Sequence, residues 1–163
     1  MAVDIEGLRD QISKKVSGYK NGYFITVDST RLDGIDRPIC KEALYKFSNN
    51  QIKSVVDEFS VYCFGLRRLF TRNAFKAVSA IEIGNDTKRL HAHIMLLQHG
   101  QSYRAFDDAK LRLKGICEQT INVLGDSAID IQPFKPKTGW IYYFTKDTQF
   151  MMSKYGFMNI DVY

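Results

Sequence analysis

No stretch of this 163-residue sequence approaches the ~18 consecutive apolar residues that a membrane-spanning helix requires, so no membrane span is expected. The opening segment, MAVDIEGLRDQISKKV, carries acids early and has no apolar core, so it does not read as a secretory signal. Cysteine is scarce. Cys40, Cys63 and Cys117 are isolated and odd in number, which argues against a disulfide framework, and the lack of any CxxC pair argues against a zinc ribbon. A cytoplasmic setting with reduced thiols is the expectation. No internal repeat, low-complexity tract or Pro/Gly/Ser-rich linker divides the chain, so residues 1–163 are expected to form a single domain. Charge of neither sign dominates: 23 Lys and Arg face 18 Asp and Glu, a net +5 that is compatible with an anionic partner without requiring one.

What is present is enough apolar material for a real core: 45% hydrophobic and 13% aromatic residues. YFITVDST (23–30) is β-branched and aromatic and reads as a strand. RLDGIDRPIC (31–40) reads as a loop. In the next segment Ile52, Val55, Val56, Phe59, Cys63, Leu66 and Leu69 recur at helical spacing. FKAVSAIEIG (75–84) and RLHAHIMLL (89–97) read as two strands joined by a short NDTK loop. Residues 106–125 read as a helix, with acids in the first turn and Gly125 at its end. AIDIQPF (128–134) alternates like a strand, and TGWIYYFTKDTQF (138–150) reads as a short helix. YGFMNIDVY, at the end, is left open as an edge strand or a tail. Long helices between hairpin-like strands predict an α+β fold: an antiparallel sheet of about five strands with helices packed on one face.

Histidine is as scarce as cysteine, yet two of the three histidines, His91 and His93, sit one residue apart in a strand. With Asn85 to Lys88 as the hairpin loop, Ile83 meets Leu90, Glu82 meets His91, Ile81 meets Ala92 and Ala80 meets His93. Paired residues share a face, as do residues two apart, so Glu82, His91 and His93 project from one side and Ile81, Ile83, Leu90, Ala92 and Ile94 from the other. Two neutral imidazoles and a carboxylate suit a divalent ion, with manganese or magnesium expected and cobalt or zinc acceptable. The bland reading, a polar outer face with two chance histidines, is disfavoured by the acid placed opposite His91. His99 has no such partner and reads as a surface residue. A second element is GWIYYFTKD, in which Lys146 follows Tyr143 by three residues and Tyr142 by four. On a helix either spacing brings the lysine beside the tyrosine. A neighbouring cation favours the phenolate, which turns a poor nucleophile into a usable one.

Taken together, YFITVDST, Glu82, RLHAHIML and YYFTKD resemble, in this order, the motifs of the HUH endonucleases, specifically the rolling-circle replication initiators (Rep proteins) of plasmids, single-stranded DNA viruses and phages. The resemblance covers nearly the whole chain. It implies a central antiparallel sheet. It also implies a metal-dependent single-strand DNA nickase that forms a 5′-phosphotyrosine link, frees a 3′-hydroxyl and can rejoin the strand. In that scheme Glu82, His91 and His93 hold the metal, Tyr143 is the nucleophile and Lys146 assists it. Two departures stand out: Ala92 is smaller than the usual middle residue of the motif, and the doubled tyrosine leaves Tyr142 as a rival nucleophile. No Walker motif occurs in these residues, so unwinding is expected of a separate helicase. Phosphate contacts are expected from Arg67, Arg68, Arg72, Lys88, Arg89, Lys135 and Lys137, on single-stranded or hairpin DNA at a replication origin. Rival readings are a single-strand transposase, which usually has glutamine where Lys146 stands, and a relaxase, which usually has a third histidine in place of Glu82. A third is a non-catalytic RRM-like module that stacks bases on Tyr23, Phe24 and other aromatics.

Overall fold

Three strands of nearly equal length form the centre of the molecule: the first is dense in β-branched and aromatic residues, and the other two are runs of apolar residues with few breaks. They are β1 (Asn21–Asp28), β2 (Lys76–Ile83) and β3 (Leu90–Gln98). The structure, a computed structural model, describes residues 2–28, 40–65, 75–83, 90–98, 106–121, 128–135 and 139–162. The hairpin loop 85–88, most of the 31–40 loop and Gly125 lie outside these. Two shorter strands complete an antiparallel sheet, β4 (Ile129–Pro133) beside β1 and β5 (Ile160–Val162) beside β2, in the order β4-β1-β3-β2-β5. The α+β expectation is met, and the C-terminal segment is an edge strand.

The β2–β3 register is the one that the hairpin arithmetic gives, with Glu82 opposite His91 and Ala80 opposite His93. One sheet face, carrying Ile25, Val27, Ile81, Ala92, Ile94 and Leu96, is fully covered. The cover comes from α2 (Lys41–Tyr45), a π-helical stretch over Lys46–Ile52, α3 (Lys53–Phe64) and α4 (Phe106–Ile121). Phe59 is its largest fully buried side chain, packed edge-on against Tyr23 and stacked on Phe75.

The other face is also covered at one end, by an element that the sequence reading did not find. Helix α1 (Ile5–Val16) begins at Asp4, whose carboxylate accepts a hydrogen bond from the Gly7 amide, and buries Ile12. With α5 (Gly139–Thr145) it covers Val78, Met95, Leu97 and Phe24. These are apolar residues at positions where a one-sided sheet would be polar.

The expected single helix over 138–150 is two. It stops at Thr145, turns through Lys146 and Asp147, and resumes as α6 (Thr148–Tyr155). The reason lies in what each half buries. Phe144 belongs to the core beneath α1, whereas Met151 belongs to the core on the opposite side of the sheet. A straight helix cannot serve both. Beyond α6, Gly156 takes a left-handed conformation and the chain enters β5. There the Asn159 carbonyl accepts from the Ile81 amide, and the Asn159 side-chain amide donates to the Ile81 carbonyl at 3.0 Å. Among the described residues no helix is long and apolar enough to cross a membrane.

At Gly22, φ is +146° and a Cβ would collide with the Leu96 carbonyl of the neighbouring strand. Gly22→Ala is expected to lower stability by more than about 1 kcal/mol, read from the urea denaturation midpoint.

Candidate active site

Antiparallel pairing on both sides of β3 gathers the polar residues into two rows across the sheet. Asp28, His91 and Glu82 are in register on β1, β3 and β2, and the next row on the same face is Thr26, His93 and Ala80. Ala80 leaves room beside His93, as its small size requires. The two imidazoles lie edge to face with centroids 4.6 Å apart.

Each ring is held through Nδ1. The His91 Nδ1–H donates to the Asp28 carboxylate, and the His93 Nδ1 lies 3.2 Å from Thr26 Oγ1. A carboxylate can only accept, so Asp28 assigns the His91 proton to Nδ1 and leaves the lone pair on Nε2. Asp28 and Thr26 were not among the residues expected at the site. Their signal was present in the alternation of YFITVDST, but only the β1–β3 pairing, distant in sequence, turns it into a contact.

Helix α5 roofs the second row. Phe144 and Thr145 are buried beneath it, Trp140 packs on Phe24, and Phe24 lies nearly parallel to the His93 ring. These contacts turn Tyr143 toward the sheet, with its hydroxyl 3.1 Å from His93 Nε2. Tyr142 points elsewhere: it is 59% exposed, and Arg9 of α1 lies 4.3 Å over its ring. Arg9 also donates from Nε to Thr145 Oγ1 at 2.9 Å, which ties α1 to the end of α5.

Lys146 reaches the site from the turn rather than from a helix. Its ammonium sits 4.1 Å above the Tyr143 ring and 3.2 Å from Glu82 Oε2, and His93 Nε2 lies 3.7 Å from the same oxygen. Glu82 is only 7% exposed, and its buried Oε1 has no hydrogen-bond partner among the described residues. Burial alone would raise the Glu82 pKa, but the neighbouring His93 and Lys146 outweigh it, and the net shift is downward. Lys146 shifts upward despite its own partial burial, chiefly because of Glu82. Burial and the Glu82 charge raise Asp147.

The structure therefore brings Glu82, His91, His93, Tyr143 and Lys146 together. It does not arrange them as a finished metal centre: among the described residues no three His, Cys, Asp or Glu side chains form a group ready to hold an ion. The donor set nonetheless suits a divalent cation in kind, with an orphaned carboxylate oxygen and an imidazole lone pair directed by Asp28. His93, at 3% exposure, is not on an open outer surface as the hairpin alone suggests; it is under α5. Of the residues expected to hold phosphate, Lys135 is exposed just after β4. Arg67, Arg68, Arg72, Lys88, Arg89 and Lys137 lie outside the described residues, as does His99.

The chain matches no family model and no curated protein. Among solved structures it is similar to a REP-associated tyrosine transposase bound to a REP hairpin, at 9% identity and a TM-score of 0.36. That match covers 82% of this chain and spans 66% of the transposase chain. A hydrolase from Listeria innocua is similar at 13% identity and a TM-score of 0.33, covering 89% of this chain and 82% of its own. Likenesses this distant decide neither fold nor activity, and the reading of the site rests on its own geometry.

The Glu82 carboxyl has a folded pKa below its unfolded value of ~4.3. Its contribution to stability is therefore complete above that unfolded value and is lost as the pH falls through the folded one. The stability of the wild type minus that of Glu82→Gln, both in chelator, is expected to shrink between pH 6 and pH 3. Denaturant titrations at the two pH values measure it; a difference that grows on acidification contradicts the pairing.

Proposed function

We propose that this protein is a nickase and ligase of single-stranded DNA of the HUH type, acting as a rolling-circle replication initiator. The observation that carries the reading is the convergence of Tyr143 on His93 and of Lys146 on Glu82, which joins the tyrosine motif to the histidine motif in one site.

In this scheme the Tyr143 oxygen attacks the phosphorus of a strand held in the site. The phenolic proton passes to water, the P–O3′ bond breaks, and the departing 3′ oxygen takes a proton from water to become a hydroxyl. The 5′ phosphate stays on Tyr143, and attack by a 3′-hydroxyl reverses the step. Lys146, kept charged by Glu82, offsets the negative charge that develops on the phenol oxygen and the phosphate. Before an ion binds, the Tyr143 hydroxyl rests on His93, which Thr26 and Phe24 hold. Glu82, His91 and His93 would hold a manganese or magnesium ion, which when bound would polarise the phosphate oxygens. Strand contacts from Lys135 and the basic residues named above would be salt-dependent. A hairpin at a replication origin is the proposed substrate, and a separate helicase the proposed partner.

Tyr143 rather than Tyr142 is assigned the nucleophilic role because its hydroxyl faces His93, whereas Tyr142 is engaged with Arg9. Incubation with hairpin-bearing single strands and manganese is expected to give a covalent protein–DNA band on a denaturing gel. Tyr143→Phe should give none while losing no more than about 1.5 kcal/mol of stability, and Tyr142→Phe should still react. A nucleotide mapped to Tyr142 in the trapped adduct overturns the assignment of the nucleophile. The absence of any adduct with a comprehensive strand pool overturns the enzyme class.

For the ion, His91→Ala is the informative variant, because His91 is half-buried at the rim whereas His93 is part of the packing. Calorimetric titration with manganese should show at least about tenfold weaker binding than wild type, with little change in melting temperature in chelator. Unchanged affinity places the ion elsewhere.

A further inference from the structure

Two of the atoms that a cation would need at this site are already engaged, and by the residues assigned to catalysis. His93 Nε2 faces the Tyr143 hydroxyl at 3.1 Å, and Glu82 Oε2 faces the Lys146 ammonium at 3.2 Å. Glu82 Oε1 has no partner among the described residues, and His91, held by Asp28 through Nδ1, keeps Nε2 for an ion. The imidazole nitrogen has one lone pair, and a hydrogen bond and a metal bond cannot both use it. The Glu82 carboxylate can accept more than one partner, but an ammonium at 3.2 Å and a divalent ion on the same buried carboxylate repel each other, in part screened by solvent on the lysine side.

We propose that Tyr143 and Lys146 compete with the divalent ion for His93 and Glu82, so that the nucleophile is caged on the metal ligands until an ion displaces it. This deepens the nickase reading and rests on it. The same two contacts supply a reason for the geometry. A buried carboxylate needs a counter-charge, and Lys146 provides one. Displacing it moves a positive charge off Glu82 while leaving it beside Tyr143, whose ring it already overlies at 4.1 Å. The released phenol then has a cation next to it and no imidazole on its hydroxyl. The ion would therefore do two things at once: fill the ligand set and free the attacking group. The motif lysine would be poised for a phosphate only after it had left the carboxylate.

The consequence runs against intuition. Removing a residue required for the reaction should tighten ion binding. Calorimetric titration with manganese chloride is the test, on wild type, Lys146→Met, Lys146→Gln and Tyr143→Phe, with Glu82→Gln as the variant lacking the ligand. Lys146→Met and Lys146→Gln are expected to bind manganese about three- to tenfold more tightly than wild type, a range set by the partial exposure of the lysine. Tyr143→Phe is expected to bind more tightly by a smaller factor, and Glu82→Gln far more weakly. Since loss of Lys146 leaves a buried charge uncompensated, the melting temperatures are measured too. The manganese-induced rise should be larger in Lys146→Gln than in wild type, which reports the same competition even where the variant is less stable in chelator.

Wild type that binds manganese at Glu82, together with lysine variants of equal or lower affinity, overturns the competition and leaves the metal site standing. Wild type and all variants that fail to bind manganese overturn both. A wild type too weak to measure beside lysine variants that bind supports the competition in its strongest form.

Discussion

A carboxylate that is 7% exposed has to be paired, and the pairing of Glu82 with Lys146 and His93 joins the sheet to the segment that follows α5. Lys146 lies in the turn between two helices, so its attachment to β2 fixes where that turn sits. The turn in turn fixes the end of α5, and with it Tyr143. Without the carboxylate, the ammonium would have no partner on the sheet, and the phenol would be held by His93 and packing alone.

The packing comes from a source that is easy to overlook. Helix α1 and α5 share the second face of the sheet, and Arg9 binds the last turn of α5 through Thr145 while covering Tyr142. The face is thus divided. Its far end, with Val78, Met95 and Leu97, is a small apolar core; its near end, with Glu82, His91 and Asp28, is polar. His93 stands at the boundary, and this is why it can be buried and still touch a hydroxyl on either side.

The legible part of this site was the part encoded by local alternation. Alternation keeps Ile81, Leu90 and Ala92 on a common apolar face, and a four-residue loop then selects the register that places Glu82 against His91. The α+β sheet was legible for the same reason, along with strands β1 and β4. Helix α1 was missed although Ile5, Leu8, Ile12 and Val16 recur at helical spacing behind Asp4, because the segment was weighed only as a targeting signal. A further signal was the loss of alternation in the second half of RLHAHIMLL, which marks a strand covered on both faces. The break at Lys146 was not legible, since propensity does not say which of two cores a helix will meet. Nor was Asp28, whose role depends on β1 pairing with β3 across more than sixty residues of sequence.

Long, regular strands invite pairing with other molecules, and the two ends of this sheet are built against it. The outer strands, β4 and β5, are short, and the first closes on Pro133, which has no amide to donate. On the β5 side the strand is too brief to cover β2, and Asn159 extends it: one backbone carbonyl and one side-chain amide satisfy both polar groups of Ile81. An asparagine thus does the work of another strand residue while directing the chain away from the edge. Self-association by edge-to-edge growth is thereby discouraged at the margin nearest Glu82, and the approach to the polar rows is left to ligands that enter over the face rather than along the sheet.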